Sequence, residues 1–197
     1  MGKIIHGNRN FGYATINTTS TPKFDTPKML PGLVSTSIEV EQSDTKVPAD
    51  NIVYCIVKGA KVRTATAAFR YIPEAYAELL GFKKETNGML VDTGTFASHC
   101  IFFETTEEDS DTNQVTQTLH YLYNVVASEP THDSNTDEEE VEAAEIEINY
   151  SASASSIATD AQKNGVQYAY ITRTEQNKNL YDQFKTKVIL PTEAIGG

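Results

Sequence analysis

The sequence predicts a mainly β domain with one short helix on its flank and an extended arm at each end. Three observations carry that prediction. Most apolar runs either alternate with polar residues or are short and β-branched, as strands require. Only one stretch, about 73–80, places its apolar residues at strong helical spacing. Near the start, Pro22, Pro27 and Pro31 fall close together in NTTSTPKFDTPKMLPG, which leaves an extended segment with few internal hydrogen bonds. The composition agrees: 197 residues, no Trp, abundant Thr, Ser and Asn, 39% hydrophobic residues and a mean hydropathy of -0.39. This length suits one large domain, or one domain with arms.

Residues 1–30 read as an N-terminal arm. Phe11, Tyr13 and Ile16 alternate with small or polar residues, which allows one short strand there. The arm's aromatics, Phe11, Tyr13 and Phe24, either wrap their own domain or dock on a neighbouring copy. The domain proper spans 31–175. In LVSTSIEVEQ, Leu33, Ser35, Ser37, Glu39 and Glu41 share one strand face, and Val34, Thr36, Ile38 and Val40 the other. SDTKVPAD reads as a loop broken by Pro48. NIVYCIV is almost wholly apolar and reads as a strand covered on both faces. KGAKV reads as a turn, and RTATAAFRYI as a loosely alternating strand.

Pro73 opens the helix, where its missing N–H has no intrahelical partner to lose. Glu74 favours the first turn. Ala75, Tyr76, Leu79 and Leu80 form one apolar stripe, and Gly81 ends the helix. About two turns long, it is unstable alone and must lie against the sheet. Asn87-Gly88 signals a hairpin. FASHCIFFE and QTLHYLYNVVASEP read as one long hairpin with the acidic tip TTEEDSDTNQ between them. A second acidic loop covers 131–142. AAEIEINYSASAS alternates strictly, with Ala144, Ile146, Ile148 and Tyr150 on one face and Glu145, Glu147, Asn149 and Ser151 on the other. VQYAYITRTE is the last strong strand. Residues 176–197 read as a basic C-terminal arm, in which Leu180, Tyr181 and Phe184 form a helical turn or lie extended.

No apolar run approaches the roughly 20 residues needed to span a bilayer. The first residues lack a signal-peptide hydrophobic region, and His6 stands where a myristoylation motif wants Ser or Thr. The expectation is a soluble protein made in a cytoplasm, with no membrane partner. Cys55 and Cys100 lie in runs read as buried strands, NIVYCIV and SHCIFFE, and are taken as small buried apolar side chains rather than a disulfide or reactive thiol. The net charge of -11 is unevenly placed. Residues 85–162 hold 17 of the 27 acids and no Lys or Arg. Such a chain is not expected to bind nucleic acid by neutralising phosphates. Separated charge blocks suggest contacts between copies or a surface that repels an anion, beside the plainer reading of solubilising loops.

Catalytic, cofactor and metal signals are absent. His6, His99, His120 and His132 show no metal-ligand spacing, and no nucleophile elbow or phosphate-binding glycine loop is present. His99 and Cys100, adjacent on a strand, face opposite sides. The acidic loops are dense in oxygens, but neither matches an EF-hand, so calcium binding stays open.

Four pieces in order, LPGLVSTSIEVE, PADNIVYCIVKGA, YIPEAYAELLGFKKETNGMLVD and the strand pair FASHCIFFET with YLYNVVASEP, resemble the major tail tube proteins of long, non-contractile-tailed phages, the phi13 type. The resemblance covers about residues 30–151. It implies a β-sandwich or flattened barrel with a flanking helix, closing into homohexameric rings that stack into a tube. It also implies partners: tail initiator, tail terminator and tape measure proteins, and genomic DNA passing through the lumen without specific binding. No cofactor is implied. The place implied is the virion tail, assembled in host cytoplasm.

Under that resemblance, acids on regular strands (Glu39, Glu41, Glu145 and Glu147) are candidates to face the lumen and repel DNA phosphates. Each has the plainer reading of a solvated outer-face side chain. The tips at 107–111 and 137–140 are expected outside, or at ring-to-ring contacts with basic residues of the arms. Phe11, Tyr13, Phe24, Tyr181 and Phe184 are candidate subunit contacts. The arm at 1–30 and the loop at 42–50 are expected to order only on assembly. The rival class is a β-sandwich capsid decoration, adhesin or pilin-like module.

Overall fold

The structure, a computed structural model, describes residues 3–49, 52–132 and 143–193. The strands are β1 (Lys3–Asn17), β2 (Lys23–Phe24), β3 (Lys28–Met29), β4 (Leu33–Ala49), β5 (Ile52–Phe69), β6 (Phe82–Lys84), β7 (Leu90–Asp92), β8 (His99–Asp109), β9 (Val115–Ala127), β10 (Thr131–His132), β11 (Ile146–Ala152) and β12 (Tyr168–Thr172). Helix α1 (Glu74–Ala77) follows β5, and α2 (Lys178–Tyr181) with the 3-10 turn Asp182–Lys185 follows β12. One antiparallel sheet runs in the order β2-β1-β8-β9-β11-β5-β4, with β3 beside β1, β10 beside β11 and β12 beside β9. β6 and β7 form a separate hairpin.

The sheet curls over a first core without closing. Phe11, Phe69, Tyr76, Ile101, Leu122, Ile148 and Tyr150 fill its concave side. A cleft of about 400 Å³ separates residues 5–8 of β1 from 36–38 of β4, floored by Phe103, His120 and Tyr168. A second core lies on the opposite face of β1, β8 and β9. There Cys100, Phe102, Tyr121 and Tyr123 meet Tyr181, Phe184, Val188 and Ile189. These three strands are therefore buried on both sides over residues 11–14, 100–103 and 121–123, with the ends at Ile4 and Val115 exposed, while β4, β5 and β11 keep one face open.

Several sequence expectations change. The N-terminal stretch, expected to hold at most a short strand, carries a long one: β1 pairs with β8 from Lys3↔Asp109 to Thr15↔His99. Its apolar alternation is satisfied inside the sheet. The C-terminal stretch is likewise docked as the lid of the second core, where Tyr181 Oη donates to Glu104 Oε2 at 2.9 Å. Glu104 is buried and also ion-paired with Arg9. The stretch SDTKVPAD, expected as a loop, is strand through Ala49, and KGAKV, expected as a turn, is strand. β4 pairs with β5 along nearly its whole length, with irregularities between Gln42 and Asp44 and between Val47 and Pro48. Gly59 and Ala60 fall at the first irregularity without Cα partners, and the Gln42 side chain donates to Gly59 O there at 2.8 Å. The helix expected over 73–80 keeps its start at Pro73 but is helical only over Glu74–Ala77, continuing as turns to Gly81, whose φ of 95° ends it. Tyr76 and Leu80 anchor it in the first core.

The Asn87-Gly88 hairpin and the long β8–β9 hairpin form as expected. The acidic stretch 133–142 lies outside the described residues.

Candidate functional site

The open face of β4, β5 and β11 follows from register. Residues directly opposite on antiparallel strands project to the same side. Glu147 lies beside Ala68 and Ser35, Asn149 beside Thr66 and Ser37, Ser151 beside Thr64 and Glu39, and Val62 beside Glu41. The alternate residues, Ala65, Ala67, Ile148 and Tyr150, are buried. The outward rows are thus small, polar and acidic. Thr66 Oγ1 donates to Asn149 Oδ1 at 2.7 Å across the strands. Among the described residues, these rows carry three carboxylates, Glu39, Glu41 and Glu147, and no base.

Glu145 falls elsewhere. β11 begins at Ile146, and Glu145 Oε1 sits 3.2 Å from Arg70 Nη2. The strict alternation of the sequence does not extend to it, because Arg70 holds the incoming chain through the carbonyls of Ala143 and Ala144.

The expected subunit contacts sit inside the chain. Phe11 and Tyr13 are buried in the first core, Tyr181 and Phe184 in the second. Phe24 is half-buried, 6.1 Å from the Tyr123 ring. These aromatics have cover within this chain, which at Phe24 is only partial.

The surface lacking cover is the far part of the β4–β5 hairpin. β11 pairs with β5 only between Phe69 and Arg63. Past that point Ile52, Val53, Tyr54, Ile56 and Val57 are all exposed, and Cys55 with them. NIVYCIV, expected to be covered on both faces, is exposed on both from Ile52 to Val57 within this chain. A run of β-branched residues reports that a strand forms; it does not report whose atoms cover it. The signal in the sequence was the company it keeps: Lys46, Lys58 and Lys61 flank the run, which a strand of a two-sided interior does not tolerate.

A buried polar chain links the helix to the sheet. Tyr150 and Tyr76 hydroxyls are 2.9 Å apart, Tyr76 Oη is 3.1 Å from His99 Nε2, and His99 Nδ1 is 2.8 Å from Ala97 O. Burial lowers the His99 pKa to about 4. The imidazole is neutral, donates from Nδ1 to the carbonyl and accepts from Tyr76. His99 and Cys100 do face opposite sides, one in each core region. Among the described residues no group of three or more His, Cys, Asp and Glu is placed to hold a metal ion.

What the fold presents outward is a polar sheet face and an apolar hairpin. The chain belongs to the phage tail tube protein family, which it matches over residues 2–197. No curated protein matches it. Among solved structures, the tube-terminating cap of the anti-feeding prophage, seen by cryo-electron microscopy, is similar over 83% of this chain and 89% of that one, with 12% identity and a TM-score of 0.46.

Proposed function

We propose that this chain closes into hexameric rings that stack into the tail tube, and that the tube conducts DNA during ejection. Membership of the tail tube family makes it a structural component of the tail. The observation that supports the conduit is the open face of β4, β5 and β11, with Glu39, Glu41 and Glu147 in small polar surroundings. Facing a lumen, such carboxylates repel phosphates, and DNA slides without adhering. Glu145, paired with Arg70, adds less to that field. The initiator, terminator and tape measure proteins are the expected tail partners, assembly takes place in host cytoplasm, and the role is structural rather than catalytic.

Negative-stain electron microscopy of the purified protein across concentration and salt tests the architecture. Hollow tubes or six-fold rings are expected. Discrete trimers would favour the decoration, adhesin or pilin-like class instead. The lumen assignment has its own test in phage particles carrying Glu39→Lys, Glu41→Lys and Glu147→Lys together. Tubes should still form and DNA release should slow. Unchanged release would remove these residues from the lumen.

A further inference from the structure

The β4–β5 hairpin extends well beyond the strand that supports it. β11 ends opposite Arg63, itself opposite Val40, and β4 continues to Ala49. Nine further residues at the strand rise make about 30 Å of two-stranded arm. On one face of this arm Lys46 lies opposite Ile56, and Tyr54 falls nearby at the irregularity between Val47 and Pro48, without a Cα partner. Tyr54 is 75% and Ile56 54% exposed. The arm's described charges are Lys46, Lys58 and Lys61 against Glu41 and Asp44; Asp44 lies 3.9 Å from Lys58, and Lys46 is the base nearest the arm's far end.

A complementary surface lies on the other hairpin. Ile4 pairs with Glu108, and Glu108 with Val115, so the three form one row across β1, β8 and β9. Ile4 is 61% and Val115 56% exposed, and the Glu108 side chain is 44% exposed with His6 Nε2 3.3 Å away. The row is apolar–acidic–apolar where the arm is apolar and basic.

We infer that the arm of one copy docks, through Lys46, Tyr54 and Ile56, on the Ile4–Glu108–Val115 row of the next copy. This rests on the ring-forming reading and names the surfaces that meet. At Lys46 charge complementarity selects the partner: two arms that bring these lysines together oppose like charges, whereas Lys46 on Glu108 opposes unlike ones. Direction selects the geometry. Every neighbouring pair from β4 through β5, β11 and β9 to β8 is antiparallel. β4 and β8 therefore run the same way, and their far ends, at Ala49 and Asp109, lie toward the same end of the sheet. The two surfaces differ, so the contact is heterologous. Set at one level, it propagates by rotation and closes a ring.

The test is a charge swap followed by analytical ultracentrifugation and electron microscopy. Lys46→Glu and Glu108→Lys should each raise the concentration needed for assembly about tenfold, the scale expected when an exposed attraction becomes a repulsion. The double variant should assemble like wild type. So should an equimolar mixture of the two single variants, since an alternating ring restores every contact. Melting temperatures should stay at the wild-type value, because both side chains are exposed. Singles that assemble like wild type, or a double variant as impaired as the singles, would overturn the inference. A wild type that stays monomeric up to about 1 mM would overturn it too. Closed particles without a lumen, with the swap still rescuing, would overturn the conduit reading and leave this contact standing.

Discussion

Lowering the pH from 7 to 5 should destabilise the folded chain by about 2 kcal/mol through His99 alone. The imidazole titrates near 4 in the fold and near 6.5 in an unfolded chain. Between those values the unfolded state binds the proton and the folded state does not. Stability from this group is complete above about pH 6.5 and is lost as pH falls toward 4. Each unit is worth about 1.36 kcal/mol, so the whole window is roughly 3 kcal/mol and most of it is gone by pH 5. The physical cost is visible in the hydrogen bonds. A proton on Nε2 turns an acceptor into a donor. The Tyr76 hydroxyl must then reverse, and the Tyr150 hydroxyl loses the oxygen to which it donated. Urea unfolding at pH 7, 6 and 5, for wild type and His99→Gln, measures the effect. The variant keeps the carboxylate background, so the difference between the two pH profiles isolates the histidine. Parallel profiles would refute the reasoning.

Three further outcomes follow from the packing. In the monomer a maleimide should label Cys55 and not Cys100, which is fully buried with its thiol pKa pushed well up by burial; labelling of Cys55 should be suppressed on assembly, and equal rates in both states would exclude the arm from any interface. Tyr181→Phe removes a hydrogen bond to the buried Glu104 carboxylate and should cost about 1.5–3 kcal/mol in urea unfolding, with a shift below 0.5 kcal/mol counting against the bond. Gly12→Ala should lose about 1–3 kcal/mol, because a methyl there meets the Phe102 ring and the Lys28 carbonyl, and an unchanged melting temperature would show that β1 and β3 can separate freely.

Much of the sheet was legible in the sequence because one-sided strands announce themselves by period. Ile148 and Tyr150 turned inward and Glu147 and Asn149 outward as their alternation required. The helix was legible by its proline start and glycine stop, but its length was not. Leu79 and Leu80 continue the helical spacing and are held by turns, since the approach to the β6–β7 hairpin ends the regular hydrogen bonding at Ala77. The polar residues of 42–49 hid a strand, because the pairing partner, not the local composition, makes them one. For the N-terminal aromatics the sequence leaves two places open, their own domain or a neighbouring copy. Their packing within the chain rests on long-range contacts, β1 pairing with β8 and the C-terminal stretch covering Phe102 and Tyr123, which no local pattern encodes. Of the four acids, Glu39, Glu41 and Glu147 lie within paired strands, whereas at Glu145 a neighbouring cation holds the chain before the ladder starts.

The exposed arm poses a physical problem for a free monomer. A long edge strand with apolar side chains is a template for indiscriminate pairing. β4 carries the usual deterrents along that edge: Glu39 and Glu41, Lys46, and Pro48, which lacks a backbone donor. These do more than keep the monomer in solution. Lys46 discourages a second arm from lying alongside, where it would meet another Lys46, yet favours the acidic row at Glu108. The same charge thus raises the energy of the wrong dimer and lowers that of the right contact, which is how specificity arises from a difference of affinities. High salt should then erode the selection before it abolishes association, because screening weakens the charge term while the apolar contacts of Tyr54 and Ile56 persist. Irregular aggregates replacing ordered tubes as salt rises would be the visible consequence, and ordered tubes growing better with salt would show that charge plays no part in choosing the partner surface.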